Sequence, residues 1–172
     1  MTTRPPAILT VCLGNICRSP TAEAAIRQAA HDAGVALTVD SAGTGSWHLG
    51  APPDARMRAA GAEVGLGIDG VAARVEATAM AEADLILAMD RSNLAELQQV
   101  AASADIDTPI VLFRDFDPDA PPGAEVPDPY YGGADGFDEV VAICRRTAGA
   151  LVDAVADGGV AGALSRRGPA RP

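Results

Sequence analysis

No lysine occurs in this chain: all 13 basic residues among its 172 are arginines. Chemistry that starts from a lysine amine, namely Schiff bases, Walker-type phosphate loops and Ser-Lys hydrolysis, is thereby excluded. Cysteine is scarce as well. Three cysteines make no disulfide framework. With only His31 and His48 to join them, no closely spaced four-ligand zinc set is present. No metal and no other cofactor is expected. Basic residues are outnumbered by 23 carboxylates, for a net charge of −10 and a pI near 4.5, and no broad basic face is evident. A nucleic-acid partner is electrostatically disfavoured. Also missing are a signal-peptide cleavage pattern and an apolar run of membrane length. A soluble, cytoplasmic protein without a membrane partner is expected, with export lacking a signal left open and the oligomeric state not indicated.

What the chain does have is 48% hydrophobic residues, enough for one core. Short β-branched apolar runs alternate with amphipathic helical patterns, which predicts an open α/β fold with a mostly parallel sheet. The expected strands are Ala7–Cys12, Leu37–Ser41, Asp84–Met89 and Pro109–Phe113. Helices are expected at Pro20–Ala33, Pro53–Val64, Ser92–Ala102 and Gly136–Ala156, with a shorter one at Ala77–Ala81. Residues 1–157 read as one domain. The last fifteen, Gly158–Pro172, mix Gly, Ala, Arg and Pro without periodicity and read as a disordered tail. Arg166 and Arg167 offer that tail at most a weak anionic contact.

The most informative segment is Cys12-Leu13-Gly14-Asn15-Ile16-Cys17-Arg18-Ser19-Pro20. It puts a thiol at the end of the first strand, then Cys-x5-Arg-Ser, then a helix. Successive backbone N–H groups of such a loop can wrap an oxyanion, and the following helix adds the positive end of its dipole. The same helix terminus and the neighbouring guanidinium favour a thiolate at Cys12. Arg18 supplies a planar fork for two phosphoryl oxygens, suited to the equatorial charge of phosphoryl transfer. Ser19 is expected to cap the helix and to donate to the sulfur when that becomes a leaving group, with Pro20 at the first helical position. Gly14 permits the tight wrap and Asn15 tolerates a left-handed backbone. A buried strand-end cysteine beside a surface arginine is the bland alternative. The strand, glycine-bearing loop, Ser-Pro and helix context favours phosphate binding.

Hydrolysis of an aryl phosphate also needs an acid for the departing oxygen, and the Cys12 loop has none. The long Pro-, Asp- and Gly-rich segment Phe116–Gly133 carries candidates, as long ordered loops often do. Asp128, held between Pro127 and Pro129, is one; Asp115, Asp117 and Asp119 stay beside it on residue type alone. Trp47, Tyr130 and Tyr131 sit in polar loops, where an aromatic side chain either lines a cleft or packs on the body of the protein. His48 offers a Cys-His nucleophile pair.

Taken with DSAGTGSWHLGAPPDAR (Asp40–Arg56), LILAMDRSN (Leu85–Asn93) and PDPYYGG (Pro127–Gly133), the string VCLGNICRSPTAEA resembles the low-molecular-weight protein tyrosine phosphatases. The match runs in order from about residue 7 to about residue 155. It implies a four-stranded sheet flanked by helices, with the phosphate loop after the first strand. The implied nucleophile is Cys12 and the phosphate clamp Arg18, with phosphate bound by Leu13, Gly14, Asn15, Ile16, Cys17, Arg18 and Ser19. Asp128 becomes the general acid and then base. Trp47 and Tyr130 sandwich a phenyl ring with Tyr131 nearby, Ser41 holds Asn15, and Asp90 and Asn93 form a neighbouring network. The family does not use a Cys-His pair, which leaves His48 a structural or rim role.

Many relatives have His-x-Ala-Arg where this chain has Val71-Ala72-Ala73-Arg74, so a histidine that would contact Ser19 is missing. Ile16 stands where the protein-arginine phosphatase branch has threonine, which suits an aromatic phosphomonoester. The implied activity is hydrolysis of phosphotyrosine on proteins, and of small aryl phosphates, through a phosphocysteine. The resemblance also favours a protective Cys12–Cys17 disulfide under oxidation. An arsenate reductase needs further relay cysteines, which this sequence lacks around Met80–Met89. A phosphocarrier would need neither Arg18 nor Asp128 to hydrolyse its phosphocysteine.

Overall fold

The computed structural model describes residues 3–167. In chain order the elements are β1 (Ala7–Cys12), α1 (Arg18–Ala33), β2 (Thr38–Gly43), α2 (Ala55–Glu63), α3 (Ala77–Glu82), β3 (Leu85–Ala88), α4 (Arg91–Ala104), β4 (Ile110–Leu112), a 3-10 turn at Phe113–Phe116 and α5 (Ala134–Arg166). The four strands form one parallel sheet in the order β2-β1-β3-β4. This is the expected open α/β architecture, with boundaries shifted by a few residues.

Both faces of the sheet are covered, which is why its strands read as continuous apolar runs. Side chains alternate across the pleat. Ile8, Cys12, Leu85, Leu87 and Met89 join the layer beneath α1, α2 and α5. Leu9, Val11, Ile86 and Ala88 join the opposite layer with Met80 of α3 and Leu97 and Ala101 of α4. Thr10 is the polar exception on the α1 side. Fully buried, it donates its hydroxyl to the carbonyl of Ser19 at 2.9 Å, tying the start of α1 to the strand.

The strand order positions the site. From β1 the chain goes next to β2 on one side, while β3 lies on the other, so connections leaving the carboxyl ends of β1 and β3 diverge and open a crevice. Cys12 ends β1, and Asp90 follows β3 at the N-cap of α4. Arg18, at the start of α1, reaches Asp90 at 2.7 Å.

Two expectations are corrected here. The proposed tail begins as helix instead: α5 breaks at Gly158 and Gly159, the latter at φ 67°, then resumes to Arg166. Ala163 is fully buried, and Val160 and Leu164 pack on the core. The alanine-rich segment lacked a visible period because its one deeply buried contact is a methyl group, but that methyl finds an apolar seat. Residues 168–172 of the expected tail lie outside the described residues. Helix α5 also contains an 18-residue window apolar enough for a membrane span by length and hydropathy alone, which the run-by-run reading did not register. Among its apolar side chains, Phe137, Val140, Leu151 and Val155 are buried in the α1–α2 layer.

Candidate active site

Between β1 and α1 the chain makes the loop Leu13–Cys17, with its tightest bend at Asn15 in the left-handed region at φ 55°. That conformation costs energy in a non-glycine residue, and here side-chain contacts hold it. Asn15 Oδ1 accepts the Ala73 N–H at 2.9 Å, and Nδ2 donates to Ser19 Oγ at 2.8 Å and to Ser41 Oγ at 3.0 Å. The backbone N–H of Asn15 turns toward Cys12 Sγ at 3.2 Å. Ser41 therefore meets Asn15 as the sequence implies. At Gly14 the constraint is close approach: a Cβ there would lie 3.1 Å from the His48 ring.

Ser19 does not cap α1. The N-cap is Cys17 and the helix begins at Arg18, so Ser19 is the second helical residue and Pro20 the third. Pro20 still costs nothing, because the first turn's N–H groups lack helical partners. The Ser19 hydroxyl is turned to the sulfur of Cys12 at 3.0 Å, and both groups are buried. Its place at the second helical position brings it under the thiol.

Arg18 is buried to 3% exposure and held from behind. Nη1 donates to Asp90 at 2.7 Å and to the Val126 carbonyl at 3.2 Å, while Nη2 lies 3.6 Å from Asp128. Burial by itself would lower the pKa of this guanidinium. The Cys12 sulfur, Asp90 and Asp128 outweigh it and raise the pKa above its ordinary value, so the charge persists. Asp90 thus belongs to the arginine's support as well as to α4, where its other oxygen caps the Asn93 N–H.

Of the four acids left open by residue type, only Asp128 reaches the cleft over Cys12. Its Oδ1 accepts the Tyr130 N–H at 3.1 Å, and its side chain is about half exposed at the mouth. Asp117 is instead fully buried between Arg114 and Arg146, at 3.0 and 2.7 Å. Asp119 also leans on Arg146, and Asp115 faces Arg167. These three brace the loop that carries Asp128.

The cleft has a volume of about 410 Å³. Leu13, Gly14, Ile16, Cys17 and Arg18 line its floor with Cys12; Trp47, His48, Tyr130 and Tyr131 form the rim with Asp128. Trp47 and Tyr131 are largely exposed, so neither packs on the body of the protein. The Trp47 ring covers Gly45, where a Cβ would fall 2.0 Å from it. His48 leans toward Tyr130 with ring centroids 5.9 Å apart. Arg56, a residue not singled out by its sequence, stacks between Tyr130 and Phe137 at 5.4 and 4.6 Å and is tied to Asp54 at 2.8 Å. Its only sequence trace was the Asp54-x-Arg56 pair at a helix start.

A buried strand-end thiol, a captive guanidinium and a carboxylate thus meet at the mouth of a parallel α/β crevice, a cleft suited to an oxyanion. The family model described as "Low molecular weight phosphotyrosine protein phosphatase" matches residues 7–160. A low molecular weight protein-tyrosine-phosphatase of Streptomyces coelicolor is 41% identical over 148 residues, covering 84% of this chain and 90% of that protein. The human low molecular weight phosphotyrosine protein phosphatase is 35% identical over 150 residues, covering 86% and 94%. Among solved structures, a protein tyrosine phosphatase from Entamoeba histolytica, crystallised with Hepes in its active site, superposes with a TM-score of 0.83 at 36% identity, covering 89% of this chain and 98% of that one. The chain belongs to the low-molecular-weight protein tyrosine phosphatase family, and its members are hydrolases acting on phosphoproteins.

Proposed function

We propose that this protein hydrolyses phosphotyrosine on proteins, and small aryl phosphates, in two in-line steps on Cys12. In the first, the thiolate attacks phosphorus, the P–O bond to the phenol breaks, and Asp128 gives its proton to the departing oxygen. In the second, the Asp128 carboxylate takes a proton from water as its oxygen attacks phosphorus. The P–S bond breaks with its electron pair returning to sulfur, where the Ser19 hydroxyl donates to it. Loop amides from Leu13 to Ser19 and the Arg18 fork hold the phosphoryl oxygens through both steps. Trp47, Tyr130 and Tyr131 receive the phenyl ring.

The observation that carries this reading is the convergence of Cys12, Arg18 and Asp128 on one cleft, with Arg18 Nη2 3.6 Å from the carboxylate. Against a disulfide relay speaks Cys144, which is fully buried in α5 with its thiol pKa raised by burial. Three free thiols accord with action in the reducing cytoplasm.

Steady-state hydrolysis of phosphotyrosine, phosphoserine and phosphoarginine, measured side by side on wild type and Cys12→Ser, tests the proposal. Turnover is expected on phosphotyrosine alone and is expected to vanish in the variant. Residual activity within about tenfold of wild type would remove Cys12 as nucleophile.

A further inference from the structure

The hydrogen bonds beneath the phosphate loop do not stop at Ser41. Its hydroxyl donates to Oε2 of Glu23 at 2.7 Å, one turn along α1 from Ser19. The side chain of Glu23 is 13% exposed, with Oε1 paired to Arg27 at 2.8 Å. Beside it lies a cavity of about 350 Å³ shared by Asn15, Ser41, Asp40, Asp69, Val71 and Ala73. Val71, which replaces the histidine of many relatives, turns largely to solvent, so no imidazole stands among these groups.

Counting protons gives the chain a direction. The Ala73 N–H on Oδ1 fixes the Asn15 amide, so both amide protons must leave through Nδ2, one to Ser41 Oγ and one to Ser19 Oγ. Each hydroxyl therefore accepts from Asn15 and has a single proton left to donate. Ser41 places its proton on the Glu23 carboxylate. Ser19 has the Cys12 sulfur at 3.0 Å and the Ala42 carbonyl at a weaker 3.4 Å, so its proton goes to sulfur. If Glu23 were not an acceptor, the Ser41 proton could turn toward Asn15 and confront another donor. The amide would then be displaced, and with it the bond that commits Ser19.

We propose that Glu23 is a positioning residue for the phosphatase reaction: it takes the Ser41 proton, so that the Asn15 amide oriented by the Ala73 N–H stays seated and the Ser19 proton faces the sulfur. This rests on the function proposed above, in which that proton supports sulfur as the leaving group of the second step. As a carboxylate it accepts on both oxygens, from Ser41 on one and from Arg27 on the other. Burial raises the Glu23 pKa, against the opposing pull of Ser41 and Arg27 and with Asp40 adding to the rise. Acid therefore weakens the alignment while Arg27 on α1 and the Asp40 and Asp69 carboxylates on neighbouring segments face the same cavity.

The test compares Glu23→Ala and Glu23→Gln by steady-state and rapid-quench kinetics on p-nitrophenyl phosphate at one fixed pH near neutrality. Glu23→Ala is expected to lower kcat about three- to tenfold, lower KM in parallel so that kcat/KM stays within about twofold, and make phosphocysteine accumulate, because the dephosphorylation step is the one that loses support. Glutamine keeps an acceptor oxygen, so Glu23→Gln should recover to within about twofold of wild type. Since Glu23→Ala could unfold the helix, Ser41→Ala and the double variant are measured too; Ser41→Ala should match Glu23→Ala and the pair should be non-additive. Equal kcat in wild type and Glu23→Ala, additive losses, or a glutamine variant as slow as the alanine one would overturn the proposal. A wild type that turned over no aryl phosphate would instead overturn the functional reading, and the two failures are separate.

Discussion

Asp128 and Cys17 bring the residue scale to measurable consequences. Asp128 owes its reach into the cleft to two flanking prolines and an Asx turn onto the Tyr130 N–H. In its proposed role of proton donor it matters most when the departing oxygen is a poor leaving group. Asp128→Asn should therefore slow phenyl phosphate by about 100-fold or more and nitrophenyl phosphates much less. A leaving-group series with equal losses across it would move the acid elsewhere. Cys17 differs from Cys12 in chemistry: burial, with Asp54, Cys12 and Asp128 adding negative charge, pushes its thiol up to about 12. We propose that it is a reserve thiol, protonated until Cys12 is oxidised. Peroxide is expected to inactivate the enzyme and dithiothreitol to restore it, with incomplete recovery in Cys17→Ser. Peptide mapping that joins Cys12 to Cys144 would take this role from Cys17.

Among the elements, α5 departs furthest from its sequence pattern. Its stretch from Ala134 to Asp157 carries an apolar face that is easily read, whereas the stretch past Gly158 and Gly159 presents mainly alanines and glycines. Tertiary contact decides such a segment, since a buried alanine contributes through the atoms it touches and leaves no period behind. Ending the chain at Asp157 would expose what Ala163, Val160 and Leu164 cover. We expect a loss of about 1–3 kcal/mol in urea unfolding, with kcat little changed because this segment is remote from the Cys12 cleft. An unchanged urea midpoint would return the segment to the status of a tail.

At the scale of the whole molecule, Asp117 links the loop that carries Asp128 to the long helix. Hydrogen bonds from Arg146, and then from the Asp119 N–H and Arg114, overcome the cost of burial and hold its carboxyl down at about 2. A carboxyl held below its unfolded value near 3.8 contributes stability that is complete above that value and is lost as pH falls toward about 2. The shift corresponds to about 2 kcal/mol. Arg146→Ala should therefore lower the urea midpoint clearly at pH 7, with the gap to wild type narrowing as pH drops from about 4 toward 2. A gap that stays constant across that range would mean the arginine stabilises by packing alone.

The chain by itself determined the nucleophile loop, the order of strands and helices along it and the class of reaction, because these depend on neighbours in sequence. Strand, loop and helix start are contiguous from Ala7 to Ala33, and short-range sterics and the 3.6 and 2 residue periods act over that distance. Residue type and spacing left four aspartates as candidate acids; the family resemblance favoured Asp128. Only the packed structure shows which one meets Cys12, since that requires the Phe116–Gly133 loop to be braced by Arg114 and Arg146 across the fold. The same holds for Asp90 behind Arg18, Arg56 beneath Tyr130 and Glu23 beneath Ser41. Each is an ordinary charged residue in its own stretch of chain. Its function is acquired from a partner that folding brings to hydrogen-bond or stacking distance, and burial then decides which charge stays and which proton points where.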